Sequence, residues 1–376
     1  RIAPRALLCL TAFRAGASAT DGGFEELQEL AVAADDKASL AIGMTGQMSA
    51  LVAHGHYQQA AAMVGELMSL ADSLGDSILS VGLVLAALTA KFGTGELTEL
   101  VRLADRVIAD PREDMAQGAI IFGSPLTFAT MQRAAARMCG GAPGWRDEVD
   151  SAVAMSGEVE PGLRAALLLY IYGIGVANGL LLPDAAMLSV SESNLRAAEE
   201  RADEFTLASA RFLRGLVLAQ LDEPRRAEGL EVLAQSLKTA LHNRINQAAV
   251  RQLNVERAKE QARTGDLDGA ITLLRETAEQ QTTMGFRGAA STALVETLLQ
   301  RGEPADVDEA VAAVEKLAAV PTEPAFVLFD VALLRLRALL ARARSDEASY
   351  RDFAERYRAM ATSFGFEGHM ALARAL

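Results

Sequence analysis

Aromatic side chains are scarce: Trp, Tyr and Phe together make up 5% of 376 residues, with a single Trp and five Tyr. Sheets are enriched in β-branched and aromatic residues, and here Ala and Leu supply most of the apolar content instead. These are strong helix formers, and small Ala side chains let helices pack closely, so the chain reads as all-α. Cysteine is nearly absent: Cys9 and Cys139 cannot build a disulfide framework, and no CxxC occurs, so a reducing cytoplasm is the expected location. Lysine is rare as well, with Lys37, Lys91, Lys238, Lys259 and Lys316 the only ones among 36 basic residues. Acidic residues number 49 and the formal net charge is −13, which argues against nucleic-acid binding by this segment.

Catalytic signatures are missing too. The sequence holds no GxxxxGK[ST] phosphate loop, HExxH, GxSxG or complete calcium loop. His54 and His56 flank Gly55 in a turn with no nearby Cys or third His, so a solvated or capping role is expected rather than metal binding. Asp266 and Asp268 form a DxD that runs on into a helix, where acids favour the positive N-terminus. Arg211 and Arg214 sit one turn apart, placed to pack against acids such as Glu204. No metal or cofactor is expected.

Three stretches imitate other things. The opening "RIAPRALLCLTAFRAGASA" has the basic start and apolar run of a secretory leader, but Arg14 interrupts it, and a first array helix is expected there. "AALLLYIYGIGVANGLLL", from Ala165 to Leu182, carries no charge and just reaches membrane-span length. With Asn178, three glycines and Pro183 it reads as a helix buried on all sides, and no membrane partner is expected. Gly173, Gly175 and Gly179 give GxGxxxG rather than a dinucleotide fingerprint, without the βαβ context.

What the sequence does contain is a recurring phrase. "GHYQQA" begins at Gly55, "GELTEL" at Gly95, "DEPRRA" at Asp222, "GDLDGA" at Gly265 and the extended "GEPADVDEA" at Gly302, with weaker copies at Gly22, Gly144 and Gly179. The markers lie 33 to 49 residues apart, the signature of a stacked array. Each phrase closes one helix and opens the next: Gly takes the left-handed conformation, Asp266 or Glu96 caps or complements the following N-terminus, Tyr or Leu packs inward, and Ala270 sits at the crossing. A second phrase, "TMGFRG" and "SFGFEG", together with "SLGDS", marks Gly75, Gly285 and Gly365 as helix stops. One hairpin cannot bury its apolar face alone, so about eight or nine are expected to stack in a right-handed superhelix, a single unit over residues 1–376 that would kink near 118–161.

The stretch "LVAHGHYQQAAAMVGELMSLADSLGD" resembles a tetratricopeptide repeat, with a small residue, a polar residue and Tyr ahead of a helix with Ala inside. That pattern also places a small residue seven positions before the turn glycine; Gly215 and Ala258 fit, whereas Met48 and Leu88 depart from it. The period near forty is similar to the MalT-like helical repeats that lie C-terminal to the nucleotidase module of STAND signalling ATPases. The ending "YRDFAERYRAMATSFGFEGHMALARAL" resembles the C-terminus of actinobacterial members, which often carry a class III cyclase domain before the ATPase; others are transcription regulators. The resemblance implies a non-catalytic sensor and scaffold module. Its concave groove would bind a protein, peptide or small effector and regulate the chain's own N-terminal NTPase module. It also places Gln252, Lys259 and Arg263 on that inner surface, joined by Ser209 from the Asp222 hairpin; as plain surface residues these would be solvated helix faces. A free-standing peptide-binding regulator uses the same groove without an ATPase. An α/α-toroid enzyme is the remaining alternative, poorly served by one Trp and five Tyr.

Overall fold

The computed structural model describes residues 2–75, 77–109, 124–201, 203–242, 247–280, 283–323 and 326–376, and every regular element among them is helical. The helices come in pairs. The first is α1 (Ile2–Ala12) with α2 (Phe24–Ala33), followed by α3 (Lys37–Ala53), whose partner is divided at Met63 into α4 (Tyr57–Ala62) and α5 (Val64–Leu74). Next come α6 (Ser77–Thr94) with α7 (Leu97–Ile108), and α8 (Pro125–Cys139) with α9 (Trp145–Met155). In the following pair α10 (Pro161–Leu168) passes through a π-helical turn into α11 (Ile174–Ala177) and is joined by α12 (Ala185–Arg201). Then follow α13 (Glu204–Ala219) with α14 (Arg225–His242), and α15 (Gln247–Thr264) with α16 (Leu267–Gln280). The last pairs are α17 (Met284–Arg301) with α18 (Asp306–Ala318), and α19 (Leu328–Ala343) with α20 (Glu347–Phe364), before the short α21 (Glu367–Ala373).

The first members of successive pairs touch in an unbroken run, α1–α3–α6–α8–α10–α13–α15–α17–α19. Most second members pack on their own partner and on the first member of the next pair. This neighbour-to-neighbour stacking is an all-α helical-hairpin solenoid.

The turn phrases act locally as their chemistry requires. Gly55 and Gly265 hold φ of 85° and 97°, where a side chain would clash, and so end α3 and α15. Behind them Tyr57 is buried, and Ala60 and Ala270 are completely enclosed at the helix crossings. Asp266 accepts from the Gly269 amide at 3.0 Å, as an N-cap should, and Asp36, Asp203 and Asp346 cap α3, α13 and α20 in the same way. Glu96 departs from this pattern: it makes no cap bond and instead pairs with Lys91 and Thr94. In the Gly22 copy the left-handed residue is Gly23, at φ 69°. At the Asp222 copy, α13 and α14 approach so closely that a Cβ on Gly215 would lie 2.9 Å from the Gly229 carbonyl oxygen.

Gly75 and Gly365 end α5 and α20, but Gly285 does not end a helix. It lies in the first turn of α17, where a Cβ would meet Ile174 at 2.6 Å and Phe92 at 3.3 Å. Close approach of the Ile174 and Phe92 side chains, rather than backbone freedom, favours a small residue there. The charge-free run from Ala165 is divided among α10, the π turn, α11 and the following turn. Among the described residues no helix is long and apolar enough to cross a membrane. Of the expected kink zone near 118–161, residues up to 123 lie outside the described part, and α8 and α9 occupy most of the remainder.

The array also winds back on itself. Loops after the second helices of late pairs dock on turns inside early pairs. Thr98 donates its amide to Glu323 Oε2 at 2.8 Å, and Trp145 Nε1 donates to the Phe364 carbonyl at 2.8 Å. The Glu367 and His369 amides donate to the Leu180 and Gly179 carbonyls, each at 3.0 Å. Glu367 in turn accepts from the Leu182 amide at 2.9 Å and pairs with Arg146 at 3.0 Å.

Candidate functional site

In an open solenoid the first helix of each pair lines a concave surface. Here α17 lies against α6 and α11 across that space. Phe92 meets Tyr170 edge to face with ring centroids 5.1 Å apart, Phe286 meets Phe212 at 6.3 Å, and Asn178 Nδ2 donates to the Gly285 carbonyl at 2.7 Å. The phenols of Tyr57 and Tyr170 lie in this interior. Burial pushes the Tyr57 hydroxyl up to about 12 despite its bond to Thr283, and drives Tyr170 higher still, so both stay protonated donors. Much of the inner face is therefore core.

The residues assigned to the inner face by resemblance are separated accordingly. Ser209, on α13, is fully buried. Gln252 is fully buried as well, and its Nε2 donates to Glu256 Oε1 at 3.0 Å. Lys259, half-exposed, donates to the same oxygen at 2.9 Å. The Gln220 amide approaches the other carboxylate oxygen at 3.3 Å. Glu256 is 4% exposed, and a buried carboxylate needs such donors to offset its lost hydration. Gln252 and Lys259 thus meet on one buried acid that the sequence reading passed over. The signal was present in "QLNVERAK": Gln at i−4 and Lys at i+3 share a helix face with Glu256. Arg263 projects to the surface, bonding Glu260 at 2.8 Å and lying 3.7 Å from Glu223. That bond holds the Glu260 carboxyl below the usual carboxylate range.

On the other side of α13, a cleft of about 470 Å³ opens between α12 and α14. Leu188, Glu192, Arg214, Leu218, Arg225 and Glu228 line it. Arg214 does not pair with Glu204. Its guanidinium donates to the Leu188 carbonyl at 3.0 Å and to Ser191 Oγ at 3.2 Å, with Glu192 at 3.8 Å, because the N-terminal half of α12 passes directly over it.

The other candidates for chemistry have structural partners. His54 Nδ1 bonds the Ala50 carbonyl at 2.9 Å, while His56 begins α4 without a side-chain cap bond. Asp268 pairs with Arg301 at 2.6 Å. Burial raises both thiols, Cys139 up to about 12, which makes them poor nucleophiles. Among the described residues no three His, Cys, Asp or Glu side chains converge as metal ligands would. No family model matches this sequence, and no curated protein matches it.

Proposed function

We propose that this chain is a non-catalytic sensor and scaffold module of a larger signal-transduction ATPase, cyclase-linked or of the transcription-regulator type. It binds a protein, peptide or small effector and restrains an N-terminal NTPase module in the cytoplasm. The observation that carries this reading is apolar exposure on the first helix pair, where Leu7, Leu8 and Val32 are 49%, 62% and 65% exposed. Apolar residues exposed on an end pair suit a neighbouring module that stacks on α1 and α2.

Regulation through such a contact requires an effector with different affinities for the restrained and released states. The docking of late loops on early turns supports this role, because it ties both halves of the array into one body through which a shift can pass.

The test uses the 1–376 chain by itself and joined to the coding sequence upstream of Arg1. By itself it should hydrolyse neither ATP nor GTP and form no cyclic nucleotide; appreciable turnover would defeat the reading. In the longer protein, Leu8→Glu with Val32→Glu should raise NTP hydrolysis by releasing the restraint. An upstream region lacking a phosphate-binding loop would equally overturn it.

A further inference from the structure

Several arginines along the seams of this array meet carboxylates. Arg133 lies between Asp105 at 2.7 Å and Glu148 at 2.6 Å, Arg301 between Asp268 at 2.6 Å and Asp306 at 2.5 Å, and Arg335 against Glu296. Arg251, on α15, does not. It forms no ion pair or hydrogen bond with any described residue, its Nη1 is buried without a partner, and the one titratable neighbour coupled to it is the Tyr57 phenol. Burial holds its guanidinium below the usual arginine range. Arg164 is held down by burial too, but its neighbour Tyr172 also lies near Asp150 and Asp184. A half-buried cation with no anion beside it carries an uncompensated desolvation cost.

What surrounds Arg251 is a set of neutral donors. α15 meets α3 across the interior, and Tyr57, at the start of α4, packs its ring over Gly93 of α6. The Tyr57 phenol lies against Thr283 and close to Tyr170, whose own phenol lies beside Thr89 and the Gln132 amide. Gln132 is fully buried, yet neither polar atom of its side chain forms an aligned hydrogen bond. Buried amides are nearly always satisfied, so an open amide next to two phenols leaves room for a further acceptor. Arg251, Tyr170 and Thr89 each keep partial exposure, which leaves this region within reach of solvent. One cation, two protonated phenols and an amide therefore line one part of the interior, with no acid among them.

We propose that this interior region binds a small monocarboxylate. The carboxylate pairs with Arg251, whose planar fork matches its two oxygens, and accepts from the Tyr57 and Tyr170 hydroxyls, with Gln132 beyond Tyr170. A single unpaired guanidinium selects one negative charge, because a dianion would keep half of its charge uncompensated away from water. The assignment rests on reading the module as an effector binder, and supplies the chemical class of that effector.

Isothermal titration calorimetry on the 1–376 chain in a zwitterionic buffer tests it, with the sodium salts of acetate, propionate, chloride and sulfate as probes. Acetate and propionate should bind with Kd on the order of 1 mM, and chloride and sulfate at least about tenfold more weakly. Arg251→Gln should weaken acetate at least about tenfold, and Tyr57→Phe, which keeps the ring over Gly93, about threefold. Arg257→Gln, on an exposed position of the same helix, should leave binding unchanged. Without carboxylate, Arg251→Gln should also raise the thermal midpoint, since it removes a desolvated charge. Absence of acetate binding at about 20 mM overturns the assignment, as does chloride binding as tightly as acetate or undiminished binding by Arg251→Gln. Loss of binding together with a lowered midpoint overturns it too, because Arg251 would then be holding the fold. The NTPase-release experiment above involves no carboxylate, so failure here leaves it standing, and the converse holds too.

Discussion

Gly368→Ala perturbs the closure of the array at one point. A Cβ there would lie 2.7 Å from the Gly179 carbonyl oxygen and 2.8 Å from the Gly179 Cα. Both are backbone atoms of a turn, so no flexible side-chain end can yield. Carbon atoms settle about 3.5–4.0 Å apart, which forces the two segments apart by roughly 1 Å. The Glu367 and His369 bonds to Leu180 and Gly179, each 3.0 Å long, would then stretch beyond useful range. Overpacking typically costs about 1–3 kcal/mol, and each lost hydrogen bond about 0.5–1.5 kcal/mol. Part of that is the same displacement counted twice, so a net loss of about 2–4 kcal/mol is expected at the contact. Repeat arrays need not unfold in one step, so residue-resolved hydrogen exchange reports this better than a single melting temperature. Exchange at the Glu367 and His369 amides should accelerate roughly thirtyfold to a thousandfold, with α14 and α16 unchanged. Gly365→Ala is the control: nothing lies near its Cβ, and only the left-handed backbone penalty of about 1–2 kcal/mol applies. Exchange within about threefold of the parent at both amides would show that the two segments are not in contact as described.

Two further substitutions and a pH series probe other parts. Glu256→Ala leaves the buried Gln252 amide without its acceptor, and Lys259→Ala takes the charged donor from the buried Glu256 carboxylate, so each should cost about 1–3 kcal/mol in urea unfolding. Losses below about 0.5 kcal/mol for both would mean that Glu256 does not organise that cluster. His369, buried beside Tyr357 Oη at 2.9 Å, has its imidazole pushed down to about 4, chiefly by burial and further by Arg335. The unfolded ring takes a proton near pH 6.5 and the folded one does not, so stability is full above that pH. It falls by about 3 kcal/mol as the pH drops from 6.5 towards 4. Thermal unfolding followed from pH 7.5 to 4.5 should show this decline, and His369→Phe should flatten it; an unchanged slope would place the dependence elsewhere.

The fold was legible because its instructions are local. A glycine that must turn, the aromatic or Leu behind it and the Ala at the crossing lie within six residues, and Gly55, Tyr57 and Ala60 do what that phrase requires. Gly285 was misread for the complementary reason: its neighbours Phe92 and Ile174 are remote in sequence, and "TMGFRG" looks locally like the "SFGFEG" that does end a helix. The closing contacts share this property, since nothing near Thr98 announces Glu323, 225 residues away. The candidate site divides along the same line. Gln252 and Lys259 met on Glu256 through spacing within one helix, whereas the hold of α12 on Arg214 depends on how two pairs stack.

Small-angle X-ray scattering of the 1–376 chain addresses the central claim, a stack of helix pairs that winds back on itself. The accessible surface of 16027 Å² is not far above the roughly 14,000 Å² expected of a compact protein of this mass. The account predicts a radius of gyration of about 21–24 Å, at or slightly above the compact limit. A value near or above about 30 Å, as for nine pairs strung out at about 10 Å spacing, would contradict it.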